Sequence, residues 1–263
     1  QTLDGYQQNP VAIANAYLAS SGAANHWFPL AASSAKSSNQ AQLVPQPDRS
    51  IVASGNSTPA TYTVRYRTPL RNIRGFRLET LPMENIPGGG PGLSSAGNFV
   101  ITEVQVHSTP LVSPSEGAKE SQYRPFASAK ASFTQAGFNA AEVIDSKIRG
   151  QGGWAVAPRG GIVHWLTLEL AEPIDYEGGA ELTVSIHQYH DAAEHRLGRF
   201  RISVTTDEGE IHLGVPEEFS AASAIAEKER TADNLKVLLT FLSKSDGRWI
   251  ELRDALAKAE LPV

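Results

Sequence analysis

Between residues 61 and 67 apolar and polar side chains alternate. Tyr62, Val64 and Tyr66 fall on one side of an extended chain and Thr63, Arg65 and Arg67 on the other, because successive strand residues point to opposite faces. The same period of two returns over residues 76–81, 99–107, 164–170, 182–188 and 200–204, with a weaker example at 50–53. Turn-forming stretches separate these segments, among them PGGGPG at 87–92 and GQGG at 150–153, whose glycines allow backbone angles other residues avoid. Short alternating segments punctuated in this way predict an all-β fold, an antiparallel β-sandwich of jelly-roll form.

The two ends read differently. Residues 9–24 are rich in alanine and place Val11, Ala14 and Leu18 at helical spacing, which predicts a short N-terminal helix closing near Gly22. From Glu217 onward the period is helical again: Leu235, Leu238, Leu239 and Leu242 form one apolar stripe behind Thr231, a residue suited to an N-cap, and Trp249, Leu252 and Leu256 form another. The expected organisation is a helical segment over 1–26, a sandwich over 27–215 and a helical segment over 216–263. The stretch 109–124, with its prolines, serines and mixed charges, is expected to be a long surface loop within the sandwich.

Composition narrows the function classes. A net charge of −5 and the absence of any Lys/Arg run argue against nucleic acid as a partner. With no cysteine there is no disulfide scaffold and no thiolate zinc site, and no apolar run approaches the length needed to insert in a membrane. The start at Gln1, without methionine or signal-like segment, reads as a processed or excised piece of a longer protein.

No HExxH or GxSxG arrangement offers a catalytic set. The closest grouping of histidines is His187, His190 and His195, either a metal cluster at a strand end or polar side chains at a hairpin tip. Alternation turns His187 and Tyr189 to the outer face of their strand and Arg199 and Arg201 to the outer face of the next. If the two strands form a hairpin, the four share a surface: an aromatic ring with cationic donors suited to acidic sugars, or an ordinary solvated sheet face. Trp154, approached through glycines, is either a stacking platform or a structural ring.

The segment 131–170, ASFTQAGFNAAEVIDSKIRGQGGWAVAPRGGIVHWLTLEL, resembles the opening strands of the discoidin or coagulation-factor type C family, a galactose-binding-like fold. There an alanine-serine start, an A-x-D-G turn, a tryptophan and W-x-x-x-x-L follow in this order. The resemblance implies a structural calcium ion held by the turn aspartate, here Asp145, and by a glutamate in a phrase like I-x-E-I-x-V, here Glu103 within VITEVQV. That phrase precedes the segment instead of ending the chain, which implies a circular permutation. Calcium accepts six to eight oxygens, so the carboxylates and loop carbonyls would supply a suitable set. In this chain Ser146 stands at the usual glycine, and GQGG lengthens the loop. Without an ion, Asp145 merely starts a turn and Glu103 is a solvated strand residue.

IVASG (51–55), GGGPGLSSAGNF (88–99), WAVAP (154–158) and HRLGRFRISVT (195–205) resemble a region of large planctomycete-type secreted proteins that join cytochrome c domains to domains of unknown function. This resemblance implies a periplasmic or extracellular setting and neighbouring domains as partners. The expected function is a non-catalytic carbohydrate-binding module that recognises a polysaccharide or oligosaccharide through His187, Tyr189, His195, Arg199, Arg201 and Trp154. The rivals are a structural spacer docked by its helical ends, and a polysaccharide-degrading enzyme with His187 or His195 as base.

Overall fold

The computed structural model describes residues 25–112, 120–192, 194–214 and 217–245. The predicted N-terminal helix and the stripe through Trp249, Leu252 and Leu256 lie outside them. Asn25–Ile211 form one compact unit, the sandwich, and the helices that follow belong to a second.

The sandwich strands are β1 (Phe28–Pro29), β2 (Ala32–Ser37), β3 (Gln42–Pro45), β4 (Ile51–Ser54), β5 (Ala60–Thr68), β6 (Ile73–Thr80), β7 (Val100–Ile101), β8 (Glu103–Pro110), β9 (Gln122–Arg124), β10 (Phe126–Ala131), β11 (Trp154–Ala155), β12 (His164–Ile174), β13 (Ala180–Gln188) and β14 (Arg199–Thr205). A seven-stranded sheet runs β10-β12-β6-β14-β4-β3, with β1 also paired to β14; a five-stranded sheet runs β2-β5-β13-β8-β9; β11 and β7 form a separate pair. Among the described residues, the strands within these sheets pair antiparallel.

The core lies between the two sheets. Tyr62, Val64 and Tyr66 of β5, Val104 and Val106 of β8, and Leu182, Val184 and Ile186 of β13 belong to one buried cluster with Phe76 and Leu78 of β6, Leu166 and Leu168 of β12, and Phe200, Ile202 and Val204 of β14. These are the apolar positions of the alternating segments, and removing them from water is what drives the sheets together.

The outward faces differ. Arg77, Glu79, Thr167, Arg201 and Ser203 of the seven-stranded sheet are all buried, and the Arg77 guanidinium lies 5.1 Å from the ring centroid of Trp27. The outward face of the five-stranded sheet bears Thr63, Arg65, Gln105, His107, Thr183 and Ser185, all half-buried or exposed.

Three expectations are corrected. The segment 99–107 is not one strand: it breaks at Thr102, whose N–H donates to the His187 carbonyl at 2.8 Å, so that β7 pairs with β11 while β8 enters the five-stranded sheet. The stretch 109–124 is not all loop, since Thr109 and Pro110 remain in β8 and Gln122–Arg124 return beside it as β9. Finally, β13 and β14 are not a hairpin but lie in different sheets.

After the sandwich come helices α1 (Glu217–Ala224) and α2 (Ala232–Ser245). Thr231 caps α2: its Oγ1 accepts the Asn234 N–H at 3.3 Å and Asn234 Oδ1 accepts the Thr231 N–H at 2.9 Å, a reciprocal capping box. Leu238 is buried, and the Phe219 and Phe241 rings join the two helices at 4.4 Å. Among the described residues no helix is long and apolar enough to cross a membrane.

Candidate functional site

The loop from Asn139 to Trp154 builds one rim of the sandwich. Asn139 opens it by accepting the Ala141 N–H at 3.0 Å, starting a 3-10 turn over Ala140–Ile144 that ends at Asp145. Ser146 then takes φ 68°, the left-handed conformation that a glycine adopts readily and that costs a serine about 1 kcal/mol. Downstream, Gly153 (φ 119°) lets the loop close against β7, since a Cβ there would lie 2.0 Å from the Ile101 carbonyl oxygen.

This loop folds over the start of β8 and brings Asp145 to Glu103. The Ser146 N–H donates to Glu103 Oε2 at 3.2 Å, while Glu103 Oε1 is buried without a hydrogen-bond partner. Burial first, and then the nearby charge of Asp145, push the Glu103 carboxyl up to about 7; the N–H groups of Ser146 and Asp145 and the Gln105 side chain offset part of this. Asp145 is held below the usual carboxylate range, chiefly by Lys147, whose Nζ lies 2.8 Å from Oδ2 and whose N–H donates to Oδ1 at 2.9 Å. The two carboxylates singled out from the sequence thus share one rim.

Thr102 ties this rim together. Its hydroxyl lies 2.7 Å from the Ile148 carbonyl and 3.1 Å from that of His187, and it accepts the Tyr189 N–H at 3.2 Å. Arg149 pairs in parallel with Tyr189 and lays its guanidinium 4.5 Å from the Tyr189 ring centroid. The Gln151 amide donates to Asp191, and Glu142 accepts the Gly153 N–H at 2.8 Å. Between these groups opens a cleft of about 250 Å³, lined by Thr102, Glu142, Asp145, Lys147, Arg149 and Gln151 with Gly150 and Gly152. Charged and amide side chains stand on its wall among apolar surface, offering donors and acceptors to hydroxyl groups.

The predicted ligand residues do not form one surface. His187 and Tyr189 stay together at the end of β13: the Tyr189 and His187 rings lie 6.3 Å apart, Thr61 Oγ1 lies 2.9 Å from His187 Nδ1 and donates to Tyr189 OH at 3.2 Å, and His187 Nε2 lies 3.3 Å from Gln105 Oε1. Burial lowers the His187 pKa. Arg199 and Arg201 face away on the other sheet. Arg199 bonds to Asp48 at 2.6 Å and Ser50 at 3.1 Å, and the buried Arg201 donates to Glu79 at 2.7 Å.

Trp154 is fully buried, edge-on to Phe99 at 5.0 Å, with Nε1 donating to the Phe133 carbonyl at 2.9 Å; it is a structural ring and offers no face to a sugar. His195 lies 6.2 Å from His190, ring to ring, and its carbonyl accepts the Val100 N–H at 3.1 Å. Among the described residues no group of three or more His, Asp or Glu side chains is placed to hold a metal. Any ion at Glu103 and Asp145 therefore needs backbone carbonyls as well.

The lining residues Lys147, Arg149 and Gln151 were not singled out from the sequence. The glycine-rich GQGG stretch was the available signal, since surface loops held by a rigid scaffold often carry binding residues.

No protein-family model matches the chain, and no curated protein matches it. Among solved structures, a match is the CBM32-1, CBM32-2 and M60 catalytic domains of ZmpB from Clostridium perfringens, at 7% identity and a TM-score of 0.27, covering 98% of this chain and 22% of that one. The chain spans about a fifth of that structure's length. A likeness of this size leaves the fold to rest on the sheets described above.

Proposed function

We propose that this domain is a non-catalytic polysaccharide-binding module of an exported multidomain protein, and that calcium at Glu103 and Asp145 braces its binding rim. The observation that carries the reading is the rim cleft, about 250 Å³ in volume, with Lys147 and Arg149 on its wall. It is open and carries cationic and amide side chains beside apolar surface, the chemistry that hydroxylated and acidic sugars can use. The exported setting and the neighbouring domains rest on the sequence resemblance.

Calcium suits the residues present. A buried carboxylate oxygen without a partner, beside a second carboxylate, is a place where a hard cation relieves two costs at once. The Lys147 ammonium now on Asp145 is an exposed partner, and exposed pairs are cheap to give up. Glu103, Asp145 and loop carbonyls would hold the ion and so fix the loop that walls the cleft.

Affinity electrophoresis through gels cast with neutral galactan or with polygalacturonate tests this function. Retardation in at least one gel, weakened in the Lys147→Ala/Arg149→Ala variant, is expected. Migration equal to that in a blank gel for every polysaccharide overturns it.

A further inference from the structure

We infer that the outward face of the five-stranded sheet is a second saccharide surface, selective for an anionic polysaccharide laid across the strands. This deepens the proposed function and rests on it. The strand register places Ser34, Arg65, Thr183, His107 and Tyr123 in one continuous row crossing β2, β5, β13, β8 and β9. Four inter-strand steps make that row about 19 Å long, enough for an extended oligosaccharide. The adjacent row is Lys36, Thr63, Ser185 and Gln105.

The chemistry of the two rows is graded from one edge to the other. At the β2 edge Lys36 and Arg65 are exposed and have no ion-pair partner among the described residues. In the middle, Thr63, Thr183 and Ser185 are short hydroxyl side chains that keep the surface flat and offer donors and acceptors. At the β9 edge the Tyr123 and His107 rings lie 5.4 Å apart, and Tyr123 is 47% exposed. An exposed aromatic pair supplies a stacking surface for the apolar face of a sugar ring.

Charge selects the ligand. The acidic Glu181 beside this face is matched by Arg67 at 3.0 Å, so toward β2 and β5 the charge left uncompensated is positive, while Glu103 lies near Tyr123 at the opposite end. The chain carries −5 overall, but charges more than about 10 Å away are screened at physiological salt. A carboxylated or sulfated glycan meets cations, hydroxyls and rings in the order its own groups need.

The test uses the whole chain in gels containing polygalacturonate, neutral galactan or single-stranded DNA. Retardation by polygalacturonate is expected, falling with added salt. Lys36→Glu/Arg65→Glu should weaken it about tenfold, and Tyr123→Ala should weaken it too, with thermal unfolding unchanged because these side chains are exposed. The milder Lys36→Gln/Arg65→Gln gives the same reading should the charge reversal disturb folding.

Wild-type retardation in these sheet variants, with loss confined to Lys147→Ala/Arg149→Ala, overturns the sheet surface and leaves the rim function standing. Retardation by galactan alone overturns the anionic class. Equal retardation by DNA overturns saccharide selectivity. No retardation by either polysaccharide removes both proposals together.

Discussion

Two buried glutamates, one on each sheet, are treated in opposite ways. Glu79, on the outward face of the seven-stranded sheet, is 1% exposed and receives Arg77 at 3.2 Å and Arg201 at 2.7 Å. Glu103, at the rim of the five-stranded sheet, is just as buried, yet it faces neutral donors, the Ser146 N–H at 3.2 Å foremost, and a second carboxylate, with no cation against it among the described residues. A buried charge is tolerable when fully paired and costly when it is not. The first arrangement belongs to structure. The second is a site that an arriving cation can complete.

The largest test of this contrast is Glu79→Ala. It leaves two buried guanidinium groups without their carboxylate and should cost roughly 3–5 kcal/mol in chemical denaturation. A loss below about 1 kcal/mol, the size of an exposed pair, would make the two glutamates alike and break the comparison.

Calcium and Glu103→Gln sharpen it next. Millimolar calcium should raise the unfolding temperature of the wild type and a chelator should reverse this, by about 2.7 kcal/mol at a hundredfold excess over Kd; neither should move Glu103→Gln or Asp145→Ala. In metal-free protein the folded Glu103 carboxyl titrates near 7 against 4.5 when unfolded. The folded state therefore holds the extra proton between those values, and stability should fall as pH rises from about 4.5 through 7. Glu103→Gln removes that decline, and an unchanged slope would show that Glu103 is not strained.

His164 represents a third treatment, burial in the neutral form. Burial lowers its pKa from 6.5 to about 4, and its Nε2 lies 2.7 Å from the Arg159 carbonyl, consistent with Nε2–H donating. Here the unfolded chain binds the extra proton, so stability is present above 6.5 and lost as pH falls toward 4. His164→Gln should flatten that limb of the pH profile.

The smallest effect belongs to Glu181→Ala, which removes the exposed partner of Arg67 and should change stability by less than about 1 kcal/mol. Its informative readout is binding: freeing one more cation on the five-stranded face should tighten retention by polygalacturonate.

Much of the fold was readable because period two is a local property. Strands β5, β6, β12, β13 and β14 lie where alternation predicted them, with bounds that differ by up to four residues. Strands β2 (ASSAKS) and β10 (FASAKA) were missed because alanine, serine and lysine carry little of the apolar contrast that marks a strand. They are strands because β5 and β12 supply partners for their backbone groups. At the site, Glu103 and Asp145 were singled out from the sequence, and the fold brings the loop after Asp145 onto Glu103 through the Ser146 N–H. The grouping of Arg199 and Arg201 with His187 and Tyr189 failed because alternation assigns a face within a sheet but does not say which sheet a strand joins.

Composition and alternation were enough to decide that this chain forms a layered β-structure and which side chains turn inward, since both depend on neighbours a few positions apart. Only the folded arrangement decided that β13 and β14 join different sheets, that Trp154 goes inside, and that Lys147 and Arg149 line a cleft. Those outcomes depend on pairings between distant segments, where hydrogen bonding and burial act across space and leave no periodic trace along the chain.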